Sequence, residues 1–245
     1  MRPPLLFVHG AFAQAAHFEP WLGYFREAGY RCTAISLPGH APTDPKTLER
    51  LVFADYVEAV SKAVREFDRP PVVVGHSMGG ILAMRAATEQ RIAGLVVIAA
   101  PAPGGLPARP GVLRYALPLI PRILAGLPVR PPVEAVRALV TYELSAAEGD
   151  EIIAAGGMES GRVLRRLALG GSGVALAAIR CPTLCLGAGD DRVVPPSAAA
   201  RIAKATGAEL VVFAGHGHWL IAGSLTGEVA ATVRDWLERH FAGAD

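Results

Sequence analysis

"PVVVGHSMGGILAMRAA" (71–87) runs from three consecutive valines through a glycine-rich turn into an alanine-rich segment. A short, wholly apolar run bounded by a turn reads as a strand buried on both faces, and the residues after it read as a helix. The turn itself spells Gly75-His76-Ser77-Met78-Gly79, a G-x-S-x-G pattern. In a strand–turn–helix unit that pattern has a chemical use. A serine standing at the end of a strand, in a tight backbone conformation, needs neighbours two residues away that lack side chains. Gly75 and Gly79 meet that need, and Gly80 lets the helix approach closely. The helix N-terminus also aims free N–H groups at the turn, where they favour a developing negative charge. Ser77 is therefore the candidate nucleophile.

Similar apolar runs recur on either side: "LLFV" (5–8), "RCTAISL" (31–37), "GLVVIAA" (94–100), "TLCLGA" (183–188) and "ELVVFA" (209–214). Helix candidates lie between or after them, at about 18–28, 50–67, 79–90, 196–206 and 226–241. Strands alternating with helices predict an α/β fold with a doubly wound, mostly parallel sheet, whose strand C-termini carry any active site. Residues 101–180 break the rhythm. They hold no convincing strand, and nine of the 20 prolines fall between Pro101 and Pro132, cutting short amphipathic helices apart. The expected organisation is a core of residues 1–100 and 181–245, with 101–180 inserted as a helical cap.

Half of the residues are hydrophobic (51%) and 19% are charged, so a large core is available and disorder is disfavoured. A net charge of +2, without a clustered basic face, gives no case for nucleic acid. Cys32, Cys181 and Cys185 cannot pair completely and are expected as buried thiols in a reducing compartment. The first apolar run is too short for a signal peptide, and no stretch approaches the roughly 20 apolar residues of a membrane span. The expectation is a cytoplasmic protein with no membrane insertion; its oligomeric state is not legible.

Late in the chain "FAGHGHWLI" (213–221) sets His216 and His218 one residue apart. As a metal site the pair lacks a cysteine or carboxylate cluster at the usual spacing, so no metal is expected. As a base, one imidazole must reach Ser77 while a carboxylate holds its other nitrogen. Asp190 and Asp191 compete for that role, and adjacent residues at a strand end point in different directions.

With these features in order, the sequence resembles the α/β-hydrolase superfamily, in particular its serine esterase and lipase-like members. "GHSMGG" (75–80) is similar to their nucleophile elbow. "FVHGAF" (7–12) resembles the loop that supplies half of the oxyanion hole, and "LPGHA" (37–41) the turn after the next strand. "GAGDDRVVPP" (187–196) and "GHGHW" (215–219) resemble the acid and base loops. The resemblance covers essentially the whole chain, with "LLFV" in the place of the family's third strand. It implies the chain order serine, acid, histidine as Ser77, Asp191 and His218. The family's D-x-x-V-P pattern selects Asp191 over Asp190, and the aromatic Trp219 after His218 selects that histidine over His216. His9 is expected to order its loop, His76 to pack in the elbow, and His17, His40 and His240 to carry no constellation.

The resemblance implies a carboxylic-ester hydrolase working through an acyl-enzyme on a small-molecule, ester-like substrate, with no cofactor. Backbone N–H groups of Ala11 (Phe12 is the alternative) and Met78 would hold the oxyanion. Phe12, Phe18, Tyr115 and Trp219 are the candidate substrate-binding residues and suggest an apolar pocket for small to medium hydrophobic groups. Thioesters, lactones and C–C bonds α to a carbonyl suit the same triad. The fold also hosts hydroxynitrile lyases and ligand receptors, which no residue here favours.

Overall fold

The computed structural model describes residues 2–105, 109–224 and 226–241. Six strands form one sheet: β1 (Leu5–Val8), β2 (Cys32–Ile35), β3 (Val72–His76), β4 (Gly94–Ile98), β5 (Thr183–Ala188) and β6 (Glu209–Phe213). Their order is β2-β1-β3-β4-β5-β6 and every pair is parallel. The chain steps from β1 outward to β2, then crosses back to the other side of β1 to lay down β3. That reversal makes the C-terminal ends of β1 and β3 a topological switch point, where open α/β sheets leave a crevice.

Eleven α-helices surround the sheet among the described residues: α1 (Glu19–Glu27), α2 (Pro45–Arg50), α3 (Phe53–Arg65), α4 (Met78–Glu89), α5 (Pro110–Ala116), α6 (Ile120–Leu124), α7 (Val133–Leu139), α8 (Ala146–Ala155), α9 (Gly161–Ala168), α10 (Pro196–Thr206) and α11 (Thr226–Phe241). Alternate strand residues feed opposite faces. Leu5, Phe7, Val72, Val74, Val96 and Ile98 pack with Trp21, Phe25, Val233 and Trp236 of α1 and α11. Leu6, Val8, Val73, Leu95 and Val97 pack with Tyr56, Val60, Leu82 and Ile202 of α3, α4 and α10. With both faces covered, the inner strands β1, β3, β4 and β5 are wholly buried, which is why they read as unbroken apolar runs. The edge strand β6 instead leaves Glu209, Leu210 and Val212 exposed. Cys32, Cys181 and Cys185 are free thiols, and burial pushes that of Cys185 up to about 12.

Among the described residues no strand lies between β4 and β5; helices α5 to α9 occupy that interval. The helix expected over 50–67 is α3, which starts at Phe53, and a further short helix, α2, precedes it. Leu51 is extended (φ −69°, ψ 140°), and separate caps start each piece: Asp44 accepts from Lys46 N–H at 3.0 Å, and Asp55 accepts from Val52 N–H at 2.7 Å. No helix among the described residues is long and apolar enough to cross a membrane.

Candidate active site

Ser77 joins β3 to α4 with φ 53° and ψ −120°, a conformation non-glycine residues adopt only when their surroundings impose it. Its N–H donates to the Ile98 carbonyl at 2.8 Å, and its own carbonyl accepts from Gly80 N–H at 2.9 Å. The glycines make the geometry possible. A Cβ on Gly75 would lie 2.3 Å from the Gly79 carbonyl oxygen, and one on Gly79 only 2.1 Å from that of Val8. From residue 71 to 84 every residue except Ser77 is buried. Backbone cannot yield as a flexible side chain can, so Gly79→Ala is expected to cost about 3 kcal/mol and to lower Tm by roughly 6–12 °C. Gly23→Ala, where a Cβ meets nothing within 4 Å, is the control and should melt at or above the wild type. Equal melting temperatures for the two variants would refute the account of the turn.

Three loops at the C-terminal ends of β3, β5 and β6 bring Ser77, Asp191 and His218 together. His218 Nε2 lies 3.1 Å from Ser77 Oγ, and His218 Nδ1–H donates to Asp191 Oδ2 at 2.8 Å. The other oxygen of Asp191 accepts from the N–H groups of Val193 (2.7 Å) and Val194 (2.8 Å). Burial works to raise the Asp191 pKa, but the His218 ring and these N–H groups outweigh it and hold the carboxyl below its ordinary value. An ionised carboxylate fixes His218 with Nδ1 protonated, leaving Nε2 free to take a proton from Ser77. The acid and base loops are tied to each other as well: Gly189 N–H donates to the Phe213 carbonyl at 2.8 Å and Asp190 N–H to that of His216 at 3.0 Å.

His216 points elsewhere. Its Nδ1 faces the Ala214 carbonyl at 3.1 Å and its Nε2 lies 3.9 Å from Glu228. Among the described residues no group of three His, Cys, Asp or Glu side chains could hold a metal. His76 donates from Nε2 to the His218 carbonyl at 2.9 Å, bracing the base loop from below. Burial, with the neighbouring His218, lowers its pKa to about 3, so it stays neutral. His9 likewise orders its loop: Nε2 accepts from Leu37 N–H at 2.9 Å and Nδ1 donates to the Gly10 carbonyl at 2.8 Å.

Ala11 and Phe12 follow β1, and Met78 opens α4, where helix N–H groups lack intrahelical partners. Phe12 has φ 64°, and its carbonyl accepts from Gly157 N–H at 2.8 Å. Two of the aromatic candidates have little surface to give a substrate. Phe18 is fully buried, packed on Phe7 (5.2 Å) and Trp21 (6.2 Å), because the turn into α1 points it at the sheet. Trp219 is only 8% exposed, held edge-on by His17 and His76. Tyr115 is half-exposed on α5, with the Arg114 guanidinium 5.5 Å from its ring centre. A pocket of about 440 Å³ opens beside the acid loop, lined by Arg109, Tyr142, Asp190, Asp191, Arg192 and Pro196, and so more polar than expected.

Several of the residues that tie the site to residues 109–168 carry no sequence signal. Arg109 donates to the Asp191 carbonyl at 2.5 Å, Tyr142 OH to the Asp190 carbonyl at 2.7 Å, and Gly217 N–H to Glu143 Oε1 at 3.0 Å. His40, which carries no constellation in the sequence, is paired with a fully buried Glu159. Its Nε2 lies 3.1 Å from Glu159 Oε2, while Tyr56 OH (2.6 Å) and Ser160 N–H (2.7 Å) donate to Oε1.

A sequence profile of the alpha/beta hydrolase family matches residues 5–232, nearly the whole chain and every element of this site. The chain belongs to the alpha/beta hydrolase family. Phospholipase YtpA of Bacillus subtilis is 29% identical over 90 residues, 36% of this chain and 35% of that protein. Pyrethroid hydrolase of Sphingobium wenxiniae is 28% identical over 107 residues, 42% and 38% of the two chains. These alignments span well under half the length of either relative. The crystal structure of a soluble variant of monoglyceride lipase from Saccharomyces cerevisiae superimposes with a TM-score of 0.78 over 98% of this chain and 87% of that one; at 14% identity this is a likeness of fold. The six parallel strands wrapped by helices are the architecture of that family.

Proposed function

We propose that the protein is a serine hydrolase that cleaves carboxylic esters of small to medium hydrophobic substrates. The observation that carries the reading is the unbroken relay Asp191 Oδ2–His218–Ser77 Oγ, with hydrogen bonds of 2.8 and 3.1 Å. His218 Nε2 takes the proton of Ser77 Oγ as the oxygen bonds to the acyl carbon. Asp191 holds the imidazole in orientation and stabilises its charged form without itself taking the proton. The carbonyl oxygen becomes an oxyanion held by the N–H groups of Ala11 and Met78; one such donor is worth about 10²–10³ in rate. The tetrahedral species collapses as His218 Nε2–H protonates the departing alcohol, leaving an acyl-Ser77 ester. Water then attacks with His218 again as base, and the acid leaves. The cycle draws on no metal or organic cofactor. In this reading residues 101–180 act as the cap over the strand ends.

The test is hydrolysis of p-nitrophenyl esters from acetate to decanoate, with Ser77→Ala as the reference. Turnover with an optimum at intermediate chain length, and an enzyme covalently labelled at Ser77 by an organophosphonate, is the expected result. A folded wild type that neither labels nor turns over any ester, yet cleaves a thioester or lactone, would move the substrate class. Turnover by Ser77→Ala equal to wild type would end the proposal.

A further inference from the structure

The rod from α5 through the 3-10 turn Leu117–Leu119 to α6 contains no buried residue, although most of it is leucine, isoleucine, valine, alanine and proline. Leu113, Leu117, Ile120 and Leu124 recur at spacings of four, three and four, which places them on one helix face. All four are exposed, Leu117 and Leu124 at 59% each. Single exposed leucines need no explanation, but an aligned stripe of them does. A helix that is packed on its own protein would turn this face inward; here, among the described residues, Leu117 and Leu124 keep more than half of their surface uncovered.

The charges around the stripe are of one sign. From Arg109 to Val133 the chain has four arginines and no acidic residue. Arg122 donates to the Pro128 carbonyl at 3.0 Å, Arg114 lies against the Tyr115 ring, and Arg165 of α9 reaches the Leu124 carbonyl. These contacts are with carbonyl oxygens and a ring, so the positive charge is not cancelled by carboxylates.

We infer that the α5–α6 rod is a docking surface for an anionic lipid–water interface. The leucine stripe would enter the acyl boundary while the flanking guanidiniums meet headgroup phosphates, the arrangement of a basic amphipathic helix lying in the plane of a membrane. A second copy of the chain is a poorer occupant, because two such faces would bring arginines against arginines without an intervening acid. The segment lies on the surface and does not span it. Arg109, just before α5, holds the Asp191 carbonyl, so docking would set the lipid surface next to the candidate site. The inference does not depend on the ester-hydrolase reading.

The experiment is co-sedimentation of the full chain with vesicles of phosphatidylcholine, with and without phosphatidylglycerol. Wild type and Ser77→Ala are both expected to bind the anionic vesicles and to bind the zwitterionic ones far less. Leu117→Glu/Leu124→Glu and Arg114→Glu/Arg122→Glu should each reduce binding by about tenfold or more. The leucine variant alters only exposed side chains, so its melting temperature and turnover of a soluble acetate ester should match wild type. Wild type that ignores both vesicle types would overturn the inference, as would leucine variants that bind as well as wild type. So would a dimer, measured by sedimentation equilibrium, that the same variants abolish in a protein indifferent to vesicles. Because Ser77→Ala retains the surface, failure of the hydrolase proposal leaves this result readable.

Discussion

His218→Ala is expected to lower ester turnover by about 10⁶-fold, while His216→Ala leaves it within a small factor of wild type. The two residues are separated by one glycine, yet their rings serve different partners. His218 spans Asp191 and Ser77 at 2.8 and 3.1 Å, and His216 faces a carbonyl and the exposed Glu228. No other histidine is placed to substitute. His76 lies behind the base loop with Nε2 committed to the His218 carbonyl, and it stays neutral through burial. Asp191→Asn should cost about 10⁴-fold, since an amide that donates to Nδ1 turns the imidazole into the wrong tautomer. Ser77→Ala/His218→Ala should be no slower than either single variant, because the groups act as one unit. Additive losses in that double variant would show that Ser77 and His218 do not share a proton. A crippled His216→Ala with an active His218→Ala would reassign the base.

The parts of this site that could be read in the sequence are those whose physics is local. Strands buried on both faces must be apolar at every position, so the four inner strands stand out as unbroken runs, including β1 with four residues. The elbow is legible because only residues without a Cβ fit where Gly75 and Gly79 meet backbone at 2.3 and 2.1 Å. Helix α2 is missed because Pro45–Arg50 buries a single side chain, Leu48, and so offers no periodic apolar face to read. Phe18 looked like a pocket residue from its nearness to "HGAF", but the direction of a side chain entering a helix is a tertiary matter. The choices of His218 and Asp191 rest on family patterns, since spacing alone leaves both pairs open. Glu159 shows the limit most clearly. Its partner His40 is 119 residues away, and no periodicity links a lone glutamate to a lone histidine across that interval.

Glu159→Ala is the stability counterpart, with an expected loss of about 3–5 kcal/mol and a fall in Tm on the order of 10 °C. Removing the carboxylate leaves a buried imidazole and a buried phenol without their acceptor. His40 has both nitrogens against acceptors, Nδ1 at 3.0 Å from the Pro38 carbonyl and Nε2 at 3.1 Å from Glu159, which suits the doubly protonated ring. Burial works to lower the His40 pKa, but the hydrogen bond and charge of Glu159, helped by backbone carbonyls, raise it overall. The groups that face it are Glu159, the neutral His9 ring at 5.0 Å and the Tyr56 ring at 5.6 Å, whose hydroxyl burial and Glu159 keep un-ionised. A raised histidine pKa stabilises fully below the unfolded value, about 6.5, and that contribution is lost as pH rises through the folded value. Thermal melts of wild type and Glu159→Gln across this range should therefore converge toward alkaline pH. A Glu159→Ala protein that melts with wild type, or a gap that widens with pH, would sink the ion-pair account. Glu159 lies just before α9, and His40 in the loop after β2 packs on the His9 ring. His9 in turn leads directly into Gly10 and Ala11. A buried pair that costs much to break is suited to tying the helices between β4 and β5 onto the loop that would hold the oxyanion.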